Sequence, residues 1–442
     1  MFRAIGRIFR TPDLRRKIGF TLGIVALFRL GSFIPAPFVD FGNVQACLAS
    51  NQGTSGLYEL VNLFSGGALL QLSIFALGIM PYITASIITQ LLRVVIPHFE
   101  SLYKEGQAGQ AKLTQYTRYL TIALGVLQST TLITVARSGA LFPQSSGVGC
   151  NALITNEGQQ WYGILLMVIT MTAGTGLIMW LGELVTERGI GNGMSLLIFT
   201  SIAATFPAAL GEILRTRGWG VFLTVLAVGL VVITCVVFVE QSQRRVPVQY
   251  AKRMVGRRTI GGTTTYIPLK VNMAGVIPII FASSMLMLPG MLAQFGMPDD
   301  GSDVPGWVNW INTYLVSGDH PVYMALYFLM IVFFTYFYVS ITFNPEEVSN
   351  NMKRYGGFIP GIRAGRPTEK YLQYVLSRIT FPGALYLGIV SMIPLIALVV
   401  VDANQNFPFG GPSLLIMVGV GLDTVKQIEA QLQQRHYEGL LR

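Results

Sequence analysis

The stretch whose reading decides the fold is LYELVNLFSGGALLQLSIFALGIMPYI, Leu57 to Ile83. From Leu69 onward it reads as a membrane helix. The part before that nearly does, but Ser65-Gly66-Gly67 cuts it. A bilayer core needs about 20 apolar residues of helix, so Tyr58 to Phe64 is too short to cross. The chain therefore starts a short apolar helix, breaks it with two glycines and begins a full-length one.

The surrounding sequence supports a membrane setting. Apolar residues make up 52% of the 442 and charged residues 12%, against about 25% charged in a typical soluble domain. Mean hydropathy is +0.55. Ten spans are predicted, near 18–37, 70–95, 118–137, 161–181, 194–212, 219–239, 271–292, 321–343, 376–400 and 411–428. The basic N-terminus leads into the first span with no small-residue cleavage site after it, so no removable leader is expected. With the N-terminus inside, 27 of the 31 Lys and Arg fall on inner segments. That asymmetry predicts both termini in the cytoplasm. Residues 293–320 agree, with Asp299, Asp300, Asp303 and Asp319 and no basic residue; Arg215 and Arg217 are a local exception.

Of the three cysteines, Cys47 and Cys150 fall on predicted outer loops, where a disulfide would survive. Two unrelated thiols are the preferred expectation. Cys235 lies in the sixth span. No metal or redox cluster is expected.

Span two contains Gly78-Ile79-Met80-Pro81-Tyr82-Ile83-Thr84-Ala85-Ser86, and span seven contains Gly275-Val276-Ile277-Pro278-Ile279-Ile280-Phe281-Ala282-Ser283. Gly, Pro, Ile, Ala and Ser match at identical spacing. Spans five apart cross in opposite directions, so the match predicts an inverted repeat of 5 + 5 spans with a pathway between the halves. Pro81 and Pro278 read as interruptions of their helices. They mark either faces against protein or an aqueous cavity, or simple kinks.

The span interiors hold almost none of the Asp, Glu, His or Arg that ion-coupled transporters place at mid-membrane. Arg29 is the one deep charge, able to snorkel to the outer headgroups or to bond backbone carbonyls. The polar residues are uncharged: Thr84, Ser86, Thr89 and Gln90 on span two, Asn272, Ser283 and Ser284 on span seven. They suit a seam that opens sideways, or ordinary interhelical bonding. No hydrolase or phosphate-loop motif is present, and Gly189-Ile190-Gly191-Asn192-Gly193 reads as a tight turn before span five. Energy must come from a partner. The long inner loops 240–270 and 344–372 mix basic residues with aromatics, Gly and Pro. They read as a docking surface for RNA phosphate or an acidic protein face, or as topology signals attracted to anionic membrane lipids.

Several motifs are family signatures. FRLGSFIPAP (28–37), LFSGGALLQLSIFALGIMPYITASII (63–88), LTQYTRYLT (113–121), WLGELVTERGIGNGMS (180–195), QRRVPVQYAKR (243–253), PLKVNMAGVIPIIFASS (268–284), NPEEVSNNMKRYGGFIPGIRAGRPTEKYL (344–372) and FGGPSLLI (409–416) resemble, in order, segments of the SecY family of protein-conducting channels. The resemblance implies an all-α polytopic membrane protein. Its ten transmembrane helices would form two inverted-repeat halves, 1–216 and 217–442, around a central pore, hinged near Glu212–Trp219. Residues 57–68 would be a plug helix, with Tyr58, Leu60, Val61, Leu63, Phe64, Ser65, Gly66 and Gly67 as its stopper and hinge. The pore ring would be Ile79, Ile83, Ile198, Ile202, Ile280 and Ile416. Spans two and seven would form a lateral gate carrying Pro81, Thr84, Ser86, Gln90, Asn272, Pro278 and Ser283.

The resemblance also implies partners. Arg244, Arg245, Lys252, Arg253, Arg257, Arg258 and Arg363 would dock the motor ATPase SecA and the ribosome, the latter through ribosomal RNA. The small subunits SecE and SecG would be neighbours, and signal sequences and nascent polypeptides would be the cargo. The implied function is a passive channel of the bacterial cytoplasmic membrane that exports unfolded chains and releases membrane segments sideways. It is not an enzyme and needs no cofactor. The alternative, an inverted-repeat secondary transporter of a small solute, is disfavoured by the missing midplane charges and by the long basic loops.

Overall fold

The computed structural model describes residues 11–50, 65–137, 153–155, 157–158, 160–250, 253–255, 258–260, 264–295, 305–316, 320–401 and 411–438. Helix forms at every predicted span: Pro12–Phe33, Met80–Val95, Gln107–Arg137, Trp161–Arg188, Gly193–Gln241 (spans five and six, broken at Gly218), Ile277–Phe295, Pro321–Thr342, Arg366–Val401 and Gly411–Glu438. Among the described residues, five helices are by length and composition able to cross a membrane: Gln107–Arg137, Trp161–Arg188, Gly218–Gln241, Pro321–Arg354 and Arg366–Ile393. Met80–Val95 with Pro97–Lys104, bent by 101°, makes a sixth if counted as one span. The remaining helices fall short for visible reasons. Gly193–Pro207 and Ile277–Leu286 are apolar but short. The first helix opens on Asp13, Arg15, Arg16 and Lys17, and the last turns polar from Asp423.

The helix packing repeats across the halves. Span two packs on three, three on four and four on five; likewise seven packs on eight, eight on nine and nine on ten. The outward faces are apolar, as at Leu22, Leu165, Ile169, Leu230, Val231, Leu329 and Phe333. Only 11% of the most apolar window of Gly218–Gln241 is buried. Such surface would drive association in water and is stable against lipid tails.

The expected helix from Leu69 is corrected. Regular helix begins at Met80, and residues 66–79 form successive turns with positive φ at Gly66, Gly67, Leu72 and Gly78. Irregular backbone is tolerated at membrane depth only inside protein, and this stretch meets that condition: Ala68, Leu69, Leu72, Phe75, Ala76 and Leu77 are buried. Its backbone is bonded to the segment after span one, Ala36 N to Leu72 O at 2.9 Å and Ile74 N to Ile34 O at 3.0 Å. Small residues make the groove. A Cβ on Gly31 would sit 2.0 Å from the Phe75 ring, and one on Gly174 2.2 Å from the Ile74 carbonyl oxygen.

Both prolines of the repeat are also corrected. Span two starts at Met80 and span seven at Ile277, so Pro81 and Pro278 each occupy the second helical position. There the missing N–H is one of the four that have no intrahelical partner, and the fixed φ suits the helix. Gly78 (φ 55°) and Gly275 (φ 61°) turn the chain two residues upstream. The opening helical bonds correspond as well, Ile83 N to Ile79 O at 3.1 Å and Ile280 N to Val276 O at 3.3 Å. The repeated motif is a helix start rather than a kink.

The loop 240–270 is not irregular. Gln243–Tyr250 (β1) and Thr264–Lys270 (β4) pair antiparallel, with Val246 opposite Ile267. Arg253–Val255 (β2) and Arg258–Ile260 (β3) form a small ribbon. Gly357–Phe358 (β5), from the other long loop, pairs with β1. A shared core of Val246, Val248, Leu269, Met352, Ile359, Leu372 and Val375 unites the two loops. The expected turn before span five is present: Asn192 Oδ1 accepts from Met194 N at 3.1 Å, a cap worth about 1 kcal/mol.

Cys235 is free. Cys47 is disulfide-bonded, which overturns the preference for an unpaired thiol there. Cys150 lies outside the described residues.

Candidate pore and lateral gate

The six isoleucines converge. Ile79, Ile198, Ile202, Ile280 and Ile416 belong to one buried apolar cluster, and Ile83, half-buried, packs against it. They arrive from spans two, five, seven and ten, hundreds of residues apart in sequence. Around them the cluster holds Phe28, Phe75, Phe281 and Phe334, with the Phe281 and Phe334 rings stacked at 4.8 Å. Burying an Ile side chain contributes about 1.5–3 kcal/mol. The ring positions offer no hydrogen-bonding side chain. An aliphatic constriction of this kind, were the cluster to line a pore, would exclude ions by dewetting and offer a polypeptide no sequence-specific contact.

Spans two and seven touch beside this cluster. Their polar side chains turn inward on their own backbones. Thr84 Oγ1 donates to Met80 O at 3.0 Å and Ser283 Oγ to Ile280 O at 2.9 Å. Pro81 and Pro278 are buried in the first turns. Among the described residues, no side-chain hydrogen bond crosses from span two to span seven, so the seam is held by apolar packing. Ser86 and Gln90 instead line a cavity of about 390 Å³ with Thr89, Arg93, Tyr103 and Tyr338. It lies between span two and its neighbours three and eight. The Arg93 guanidinium stacks 3.3 Å from the Tyr103 ring centroid.

Each half is braced internally. Arg118 Nε and Nη2 reach Glu183 Oε1 and Oε2 at 2.9 and 2.6 Å, tying span three to span four. Asn272, expected in the lateral gate, has a different structural part. Its Nδ2 donates to Glu240 Oε1 at 2.6 Å and to Gly275 O at 3.2 Å, tying the start of span seven to the end of span six. Its buried Oδ1 has no partner among the described residues. Lys270 approaches Asp423 at 3.7 Å, linking β4 to span ten. Between the halves, the one long helix breaks at Gly218, whose φ of 78° and ψ of 178° suit glycine.

Of the residues expected to form a plug, Tyr58, Leu60, Val61, Leu63 and Phe64 lie outside the described residues. Ser65 is buried, with Oγ accepting from Leu69 N at 3.1 Å. Gly66 and Gly67 both have positive φ. Arg29 bonds a backbone carbonyl: its Nη1 donates to Gly66 O at 2.9 Å.

Among the basic residues, Arg244 and Arg245 are exposed on β1, and Arg253 and Arg258 lie on the β2–β3 ribbon. Lys252 and Arg257 lie outside the described residues. Arg363 is exposed, in a loop pinned by Thr368 Oγ1 to Arg363 O at 2.9 Å and Ser349 Oγ to Gly365 O at 2.8 Å.

Reading the sequence missed the sheet and the Glu240–Asn272 tether. Val246 and Val248, two apart and both buried, follow the alternation of a strand, but Pro247 between them argued against one. A Gly followed three residues later by Pro signalled a helix start. Nothing local signals the tether, whose residues are 32 apart.

A family model described as SecY matches residues 73–425. A relative from Micrococcus luteus, named protein translocase subunit SecY, is 64% identical over 443 residues, covering 100% of both chains. A relative of the same name from Streptomyces galbus is 62% identical over 446 residues, also covering 100% of both. The fold is similar to a solved structure described as "The structure of a protein conducting channel", with TM-score 0.62, 18% identity and coverage of 94% of this chain and 91% of that one. It is similar also to "Sec61 in the Canine ribosome-channel complex from the endoplasmic reticulum", with TM-score 0.59, 16% identity and the same coverage. On the family match and on full-length identity to these relatives, the chain belongs to the SecY family.

Proposed function

We propose that the chain is the pore-forming subunit of a protein translocase: a passive channel, not an enzyme, that passes unfolded polypeptides across a membrane and releases apolar segments sideways into lipid. The observation that carries this reading is the isoleucine cluster enclosed where spans two and seven meet. A seal of aliphatic side chains beside a seam with no side-chain cross-bonds among the described residues can open both axially and laterally. The halves 1–216 and 217–442 would move about the break at Gly218.

The orientation follows the basic residues, with both termini and the β-sheet unit on the cytoplasmic side of a bacterial cytoplasmic membrane. That unit, with Arg244, Arg245 and Arg363 exposed, is the docking surface for a SecA-type motor and for ribosomal RNA. SecE- and SecG-type subunits are expected companions, in keeping with the relatives being named translocase subunits.

Photo-crosslinking from positions 83 and 280 to a stalled secretory chain tests the reading. Adducts are expected at both. If no translocating chain reaches either position, the channel path lies elsewhere and the assignment is wrong.

A further inference from the structure

We propose that Arg29 is a positioning residue that latches the Ser65-Gly66-Gly67 turn in the closed channel. This rests on the reading of residues 57–68 as a plug. Arg29 is the one Lys or Arg lying deep inside a predicted span rather than near its end, and such residues are expensive in lipid and tend to be functional. Its Nη1 donates to Gly66 O at 2.9 Å, across 37 residues of sequence. The guanidinium also lies 5.1 Å over the Phe33 ring, which holds it from the span-one side. Among the described residues it has no carboxylate partner.

The turn is fitted to this contact from both sides. Gly66 has φ of 68°, and a Cβ there would lie 3.0 Å from Arg29 Nη1 and 3.1 Å from Ser201 Cα. Ser201 precedes the ring residue Ile202 on span five. Its hydroxyl is occupied by Leu197 O at 3.1 Å, leaving the Gly66 carbonyl to Arg29. The turn is thus clamped between span one and span five, the helix that carries two of the six proposed ring residues, Ile198 and Ile202.

The acceptor's chemistry suits a latch. A charge-assisted bond to a carbonyl is stronger than a neutral one. Releasing it strands only one charge, which stays against Phe33, and the freed carbonyl can be hydrated. A carboxylate acceptor would leave two charges unpaired and hold the turn too firmly. The bond is expected to favour the closed arrangement at least tenfold.

The test is resting ion conductance of the complete translocase in planar bilayers. Arg29→Leu and Arg29→Gln, neither able to reach Gly66 O, should raise the resting open fraction about tenfold or more. Arg29→Lys, which keeps a cationic donor, should leak less than either. The comparison protein lacks residues 62–67. If that deletion leaks while Arg29→Gln stays at the native level, the latch is refuted and the plug stands. If the deletion does not leak, the plug reading fails and the latch with it. Arg29→Lys leaking as much as Arg29→Gln would also overturn the latch. Should Arg29→Leu fail to assemble, the Gln and Lys variants decide.

Discussion

Truncating one isoleucine of the proposed ring separates a seal from ordinary packing. Ile202 is 1% exposed within the central cluster. Ile202→Ala removes three carbons, a transfer loss of about 2.4 kcal/mol at ~0.8 kcal/mol per carbon. Any residual cavity adds to this, within the roughly 2–5 kcal/mol observed for such changes. If Ile202 is packed only while the pore is closed, the loss falls on the closed state alone. At about 1.4 kcal/mol per tenfold, 2.4 kcal/mol shifts the closed-to-open ratio by about 50-fold. Ile178 is the control: it is also 1% exposed in the same cluster, but on span four and outside the proposed ring. Ile178→Ala loses the same carbons in both states and should destabilise the protein without opening it. The assay is single-channel recording of the resting translocase, with thermal inactivation measured in parallel. Equal open probabilities for the two variants would refute the ring, because burial alone would then account for Ile202.

Other consequences can be checked separately. Gly275→Ala should cost about 1–2 kcal/mol from its left-handed backbone alone, since a Cβ there meets nothing within 4 Å; Gly275→Asn should cost less, and equal thermal stability of the two would argue against a left-handed backbone there. Gly31→Ala forces a Cβ into the Phe75 ring and should cost about 1–3 kcal/mol as overpacking, read as a lower inactivation temperature and relieved by Phe75→Leu. Arg363→Glu should slow motor-driven export in vesicles while leaving membrane assembly intact, and unchanged export would remove Arg363 from the docking surface. Alkylation under denaturing, non-reducing conditions should modify Cys235 and spare Cys47 until a reductant is added, as followed by peptide mass.

Much of this protein is legible in its order of residues. Span positions depend on runs of apolar residues long enough for a bilayer, and these are local properties. All ten predicted stretches contain helix, although the second is helical only from Met80 and the seventh only from Ile277. The repeat was legible too, because two copies of one motif answer to the same local rules, and both copies begin their helices at matched residues. The meaning of its prolines was not. Whether a proline interrupts a helix or starts one depends on where the preceding chain turns, and that is set by Gly78 and Gly275 adopting positive φ. The continuous helix expected from Leu69 failed for a related reason. Hydropathy records that a segment is buried but not what buries it, and residues 66–79 are buried by protein rather than by lipid.

What the sequence alone determined is therefore the membrane setting, the ten segments and the pairing of spans two and seven. Only the tertiary structure decided that five of the six isoleucines share one buried cluster with Ile83 packed against it, that two loops more than 70 residues apart close into one sheet, and that Arg29 donates to the Gly66 carbonyl. The reason is physical: apolar length acts within a segment, whereas close packing and hydrogen-bond partners are chosen across segments that only the fold brings together.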